Sequence, residues 1–211
     1  MLNYYYKDTI ETFLIRSTDE IVGIVTSSNH FDSRRDQNKS WKEQIAILKA
    51  SLQGLQGHIV FEFSVPRMGK RIDVLLIIKN VVFVIEFKVG GDKFLSSHLV
   101  QVWDYALDLK NFHKPSQHVP IAPILIVTEA NGSLFNISTT SHNDNLILPI
   151  KIDKHSLRQA IENTLMFFEG NDLVDADLYI KGVYSPTPTI IEAAIHLYNN
   201  HSVEEITRSD A

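Results

Sequence analysis

Apolar residues recur at two periods along the chain. Ile10, Phe13 and Leu14, and again Ile21, Ile24 and Val25, stand at helical spacing. This predicts helix over 7–27, with Ser17-Thr18-Asp19-Glu20 opening its second piece as a capping box. Residues 28–39 are polar and read as a loop. A longer helix is predicted from Trp41 to Leu55. Trp41, Ile45, Leu48 and Leu52 form one stripe; Glu43, Ala46, Ile47 and Ala50 form a second, so this helix is expected between two layers. Gly54 and Gly57 end it.

Three strand-like runs follow, His58 to Val65, Arg71 to Ile78 and Val81 to Val89. Lys79-Asn80 is short enough for a hairpin turn. Val81 to Ile85 is continuously apolar, as in a central strand covered on both faces. A helix is expected over Leu95 to Leu109, strands over Pro120 to Val127 and Leu146 to Ile152, and a helix over Ser156 to Phe168, with 130–145 a polar loop. Ser185-Pro186-Thr187-Pro188-Thr189 reads as a linker before a short helix at Ile190 to Tyr198. The fold class is α/β: a mixed central sheet flanked by helices, with an N-terminal helical extension.

Composition narrows the chemistry. The 211 residues are 44% hydrophobic and 21% charged, ordinary for a globular protein with a real core. A net charge of -5 means that any grip on nucleic acid must come from a local basic patch. The absence of cysteine excludes disulfides, thiolate zinc sites and cysteine nucleophiles. The longest apolar stretches span only a few residues, and the first residues lack the basic start and apolar run of a leader. The expectation is a soluble, cytoplasmic protein with no membrane segment.

Two strands carry charge where apolar residues are expected: Arg71-Ile72-Asp73-Val74 and Ile85-Glu86-Phe87-Lys88. Burying an unpaired carboxylate costs several kcal/mol, so these charges need a joint explanation. Side chains two apart on a strand share a face, which puts Glu86 with Lys88. If the strands pair around Lys79-Asn80, Asp73 lies beside the Glu86 end. Two carboxylates so close repel unless a proton or cation intervenes. Hard oxygen donors of this kind suit Mg²⁺ or Mn²⁺, completed by water and phosphate oxygens. Such a metal polarises a scissile phosphate and activates water, while Lys88 positions that water or neutralises developing charge. The backbone carbonyl of Phe87 is expected to turn toward the metal. The competing explanation is an internal salt-bridge network.

Asp73 followed by Glu86-Phe87-Lys88 resembles the PD-(D/E)xK nuclease superfamily, with Ile72 at the proline position. Gln101-Val102-Trp103-Asp104-Tyr105 resembles the Gln-x-x-x-Tyr motif of its RecB-like branch, and Glu43 matches an upstream acidic residue often seen there. Pro66-Arg67-Met68-Gly69-Lys70-Arg71-Ile72-Asp73, with the two later motifs, resembles the N-terminal nuclease-like domain of large bacterial proteins carrying a schlafen-type DNA/RNA helicase domain. That resemblance implies a restriction-endonuclease-like fold. It implies an extension at 1–39, a nuclease domain at 40–183, and a connector at 184–211 toward a helicase motor. No Gly-x-x-x-x-Gly-Lys-Ser/Thr loop occurs here, so the chain has no motor of its own. The resemblance further implies Mg²⁺-dependent hydrolysis of DNA in DNA processing or phage defence, with Asp73, Glu86 and Glu43 holding metal and Lys88, Gln101 and Tyr105 serving the chemistry. The partners it implies are DNA and a helicase domain in cis or in trans; a homodimer stays open.

Several residues keep two readings. Glu43 can instead cap its helix through Ser40-Trp41-Lys42-Glu43. Gln101 and Tyr105 share a helix face and can be rim residues. Arg67, Lys70 and Arg71 flank Gly69 in a turn, and either clamp phosphates or form a solvated hairpin tip. Glu62 is expected to pair with a basic neighbour across strands. The nine histidines lack zinc-ligand spacing. The alternative for the whole chain is a catalytically degenerate nuclease fold that binds DNA or a helicase partner without cutting.

Overall fold

The apolar runs assemble into one six-stranded sheet. The computed structural model describes residues 3–28, 35–132, 136–142, 144–170 and 172–184. Strands β1 (Tyr6–Thr9), β2 (His58–Val65), β3 (Lys70–Ile78), β4 (Val81–Lys88), β5 (Ile121–Val127) and β6 (Ile150–Ile152) lie across the sheet in sequence order. The first four pair antiparallel, and β4–β5–β6 pair parallel. Connections dictate this division. Lys79-Asn80 joins β3 to β4 with Ile78 opposite Val81, and Lys79 takes a left-handed φ of 53°. The parallel step to β5 needs a crossover, which helix α4 (Ser96–Phe112) supplies.

Helices cover both faces. On one lie α1 (Ile10–Ile15), α2 (Thr18–Ser28), α3 (Arg35–Ser51) and α5 (Leu157–Phe167), packed on Ile59, Phe61, Val74, Leu76, Phe83 and Ile85. On the other lie α4 and α6 (Ala176–Ile180), packed on Val60, Leu75, Val82, Val84 and Leu125. β4 is thus buried on both sides, as its continuous apolar run implies. The architecture is mixed α/β, a mixed sheet between helical layers. Among the described residues no helix is long and apolar enough to cross a membrane.

The ends of elements depart from the sequence expectations. Residues 7–9, expected in a helix, join Tyr6 in β1 instead. β2 has a free edge there, and Ile10 donates its amide to Gly57 as the chain turns into α1. Ser17 caps the next helix by accepting the Glu20 amide at 3.2 Å, while the Glu20 side chain turns to Arg16. α3 begins at Arg35, so Ser40 lies inside the helix and caps nothing. α3 buries one broad face: of the second stripe only Ile47 is buried, and Ala46 and Ala50 are exposed. The strand expected at 146–152 shortens to three residues, with Leu146 and Ile147 making single bridges. A 3-10 turn at Lys114–Gln117 and α6 have no sequence counterpart. The helix expected at 190–198 and the linker at 185–189 lie outside the described residues.

Gly57 holds the approach of β2 to β3. Its φ is 151°, and a Cβ there would stand 2.3 Å from the Ile77 carbonyl oxygen, so only glycine fits.

Candidate active site

The β3–β4 ladder ends at Val74 opposite Ile85, while β4 continues beside β5 to Lys88 opposite Val127. Past that point β4 has lost its partner on one side. The Asp73 carboxylate fills the gap, accepting the Phe87 amide at 2.8 Å. Glu86 and Lys88 follow Val82 and Val84 on the α4 face of the sheet. There the Lys88 ammonium donates to Glu86 Oε1 at 2.8 Å and to Gln101 Oε1 at 3.0 Å. Gln101 Nε2 donates to the same Glu86 oxygen at 2.8 Å and to the Tyr105 hydroxyl at 3.1 Å. Gln101 and Tyr105 reach the strand together because residues four apart share a helix face. Five residues singled out from sequence, Asp73, Glu86, Lys88, Gln101 and Tyr105, therefore meet at the end of β3 and β4.

Glu86 is only 3% exposed, and its second oxygen, Oε2, has no hydrogen-bond partner. Burial dominates the protonation of the group. It pushes the Asp73 carboxyl well above the ordinary range, reinforced by the charges of Glu86 and Glu62 and opposed by the Phe87 amide and Lys88. Burial also raises Glu86, against the pull of Lys88, Lys70 and Gln101. The Tyr105 phenol is pushed up to about 12, mainly by burial, and stays neutral at physiological pH.

No protein-family model, curated protein or solved structure matches the chain. The chemistry of the site is read from its own residues. Among the described residues, no group of three or more histidine, aspartate or glutamate side chains is placed to hold a metal ion by itself. Asp73 and Glu86 offer hard oxygen donors, and the buried, unpartnered Glu86 Oε2 is an acceptor without a donor. That pair fits a cation that keeps part of its own water shell, as Mg²⁺ does.

The remaining residues fall elsewhere. Phe87 gives the site its amide, and its side chain packs in the opposite layer. Glu43 stands half-buried on α3, where its charge acts on Lys154. The Arg67 guanidinium lies 3.5 Å from the centroid of the Phe112 ring, with Nε 3.6 Å from Asp108. Arg71 covers the Tyr5 ring at 4.2 Å and donates to the Glu62 carbonyl at 2.7 Å. Both arginines are thus engaged within the protein, while Lys70 is exposed and its charge reaches Glu86. The basic neighbour expected for Glu62 is Arg71, but its carboxylate accepts from Trp41 Nε1 at 3.0 Å.

Sequence reasoning passed over His98. It lies one turn before Gln101 on α4, half-buried, with Nδ1 unpartnered and Lys88 close enough to depress its basicity further after burial has done so. The spacing of His98, Gln101 and Tyr105 on one helical face was the available signal.

Asp73 also makes a stability prediction. A carboxyl raised in the folded state binds more protons there than in the unfolded chain, so it favours folding less as pH rises. The loss begins at the ordinary carboxylate pKa and is complete above the raised value. In EDTA, the thermal midpoint of the wild-type protein should fall relative to that of Asp73→Asn as pH rises from 4 to 8, and Mn²⁺ should reverse the trend. Parallel pH profiles for the two proteins would show that Asp73 carries no such linkage.

Proposed function

We propose that this protein is a Mg²⁺- or Mn²⁺-dependent nuclease that hydrolyses DNA phosphodiester bonds, on a restriction-endonuclease-like fold of the PD-(D/E)xK kind. The observation that carries the reading is Glu86. One oxygen is held by Lys88 and Gln101, and the other is buried without a partner beside a second carboxylate, Asp73. A structural salt bridge needs only the first half of that arrangement.

Asp73 and Glu86 would hold the cation, which when bound polarises a scissile phosphate and activates water. The protein's own contribution is positional. The Phe87 amide fixes Asp73 where the ladder opens. Gln101, itself tethered to Tyr105, orients Glu86 and Lys88 at once. Lys88 sets an ammonium at the carboxylates, where it can orient a water or neutralise charge developing on phosphate oxygens. Exposed Lys70 supplies positive charge for an incoming backbone. The resemblance to nuclease–helicase proteins supports DNA processing or phage defence as the setting, with a helicase domain as partner in cis or in trans.

One observation favours a second reading, a fold that binds DNA or a helicase without cutting. Arg67 and Arg71 are engaged within the protein, so of the three basic residues flanking Gly69 only Lys70 is not held on a ring, on a chain of net charge -5. A cleavage assay separates the two. Wild-type protein should cut linear or circular, single- or double-stranded DNA with Mg²⁺ or Mn²⁺ but not with EDTA, and Asp73→Ala should not cut. Cutting that persists in EDTA would exclude the metal reading; DNA binding without cutting in any metal would favour the second.

A further inference from the structure

The feature of β2 that the site above leaves unexplained is Glu62. Its φ is 56°, a left-handed conformation inside a strand, which non-glycine residues seldom adopt without tertiary enforcement. Phe61 pairs with Val74 and Phe63 with Ile72, so Glu62 stands across from Asp73 at the one position of the run where no pairing forms. Both strands turn over at that position. Val60 and Phe63, three residues apart, pack in the same layer, as do Ile72 and Leu75. Regular alternation would send the members of each pair to opposite faces.

The turnover is held from both sides. Trp41 Nε1 donates to Glu62 Oε1 at 3.0 Å, and Arg71 donates to the Glu62 carbonyl at 2.7 Å. The twist brings a third carboxylate to the position opposite Asp73; Asp73 feels its charge, and Glu62 in turn feels the charge of Glu86. Beside them lies the unpartnered Oε2 of the buried Glu86. Three carboxylates outnumber the one ammonium bonded among them, that of Lys88, and one buried carboxylate oxygen has no donor.

We propose that Glu62 is a positioning residue of the cation site, its carboxylate facing the cation's water shell while the kink it anchors keeps Asp73 turned toward Glu86. This rests on the metal reading given above. The three carboxylates are not placed to hold an ion by direct ligation alone. Magnesium dehydrates reluctantly and keeps several waters, which need acceptors such as Glu62. Outer partners of this kind govern affinity through the ligands they orient.

The test is Mn²⁺ titration of the full chain, followed by electron paramagnetic resonance, with Mg²⁺ as competitor. Wild type, Glu62→Gln, Glu62→Asp and Asp73→Asn would be compared. Glutamine keeps an acceptor for Trp41 and removes only the charge. Glu62→Gln should weaken Mn²⁺ about tenfold, the scale of an outer-shell loss, and Glu62→Asp should recover most of that affinity. Wild-type affinity in Glu62→Gln, with binding lost in Asp73→Asn, would overturn this role and leave the metal site standing. Equal weakening in Glu62→Asp and Glu62→Gln would reduce Glu62 to a structural residue. A wild-type protein with no affinity for Mn²⁺ would overturn both.

Discussion

Glu86→Ala is expected to abolish metal-dependent cleavage, with a rate loss on the order of 10³-fold or more, because it removes a cation ligand together with the groups that ligand orients. Glu86 Oε1 is the shared acceptor of Lys88 and Gln101, and Oε2 is the acceptor left open for a ligand. Without them Lys88 keeps only Gln101, and Asp73 loses the neighbouring carboxylate with which it would share the cation. The fold should tolerate the change. Burial raises the proton affinity of Glu86, so the charged form is a liability to the folded state. Lys88, with a side chain 23% exposed, can turn to solvent. Cleavage by purified Glu86→Ala, binding of the same DNA in Ca²⁺, and the thermal midpoint would be measured together. Retention of a tenth of wild-type activity would place the chemistry elsewhere. Loss of binding as well as cutting would mean that Glu86 shapes the substrate surface instead of the reaction.

Trp41→Ala should carry the largest cost in stability among the residues near the site, about 3–5 kcal/mol from cavity formation in a packed core. Trp41 is 2% exposed and sits in the layer where α3 meets β2 and α1. Its indole N–H also holds Glu62, so truncation removes both packing and the tether of the kink. That is a large share of the ~5–15 kcal/mol typical of a whole domain. Trp41→Phe keeps most of the volume and loses only the donor, for an expected cost of about 1–2 kcal/mol. Urea midpoints of the two variants would separate the contributions. Equal midpoints for Trp41→Phe and Trp41→Ala would show that the hydrogen bond to Glu62, and not packing, stabilises this corner.

The sequence alone determined the central strands and singled out five residues that the fold brings together, Asp73, Glu86, Lys88, Gln101 and Tyr105. Long apolar runs with β-branched residues have few places to go but the middle of a sheet, so β2, β4 and β5 were legible almost to their ends. Charges inside such runs are costly enough to be informative, and this made Asp73, Glu86 and Lys88 conspicuous. The four-residue spacing of Gln101 and Tyr105 then followed from helix geometry.

Only the tertiary structure decided the rest. Four residues at the N-terminus became β1 because β2 offered a free edge, a preference that no local pattern records. α3 began before its apolar stripe, which removed the cap expected at Ser40 and left Glu43 beside Lys154. Arg67 and Arg71, solvated or phosphate-bound on sequence grounds, settled on Phe112 and Tyr5, rings distant in the chain. Glu62 was expected only to pair with a basic neighbour across strands. Its left-handed backbone and its place opposite Asp73 depend on Trp41 and Arg71 arriving from other elements. Local periodicity fixes which face a residue prefers while the backbone stays regular, but it cannot announce where long-range contacts will force the backbone to turn over.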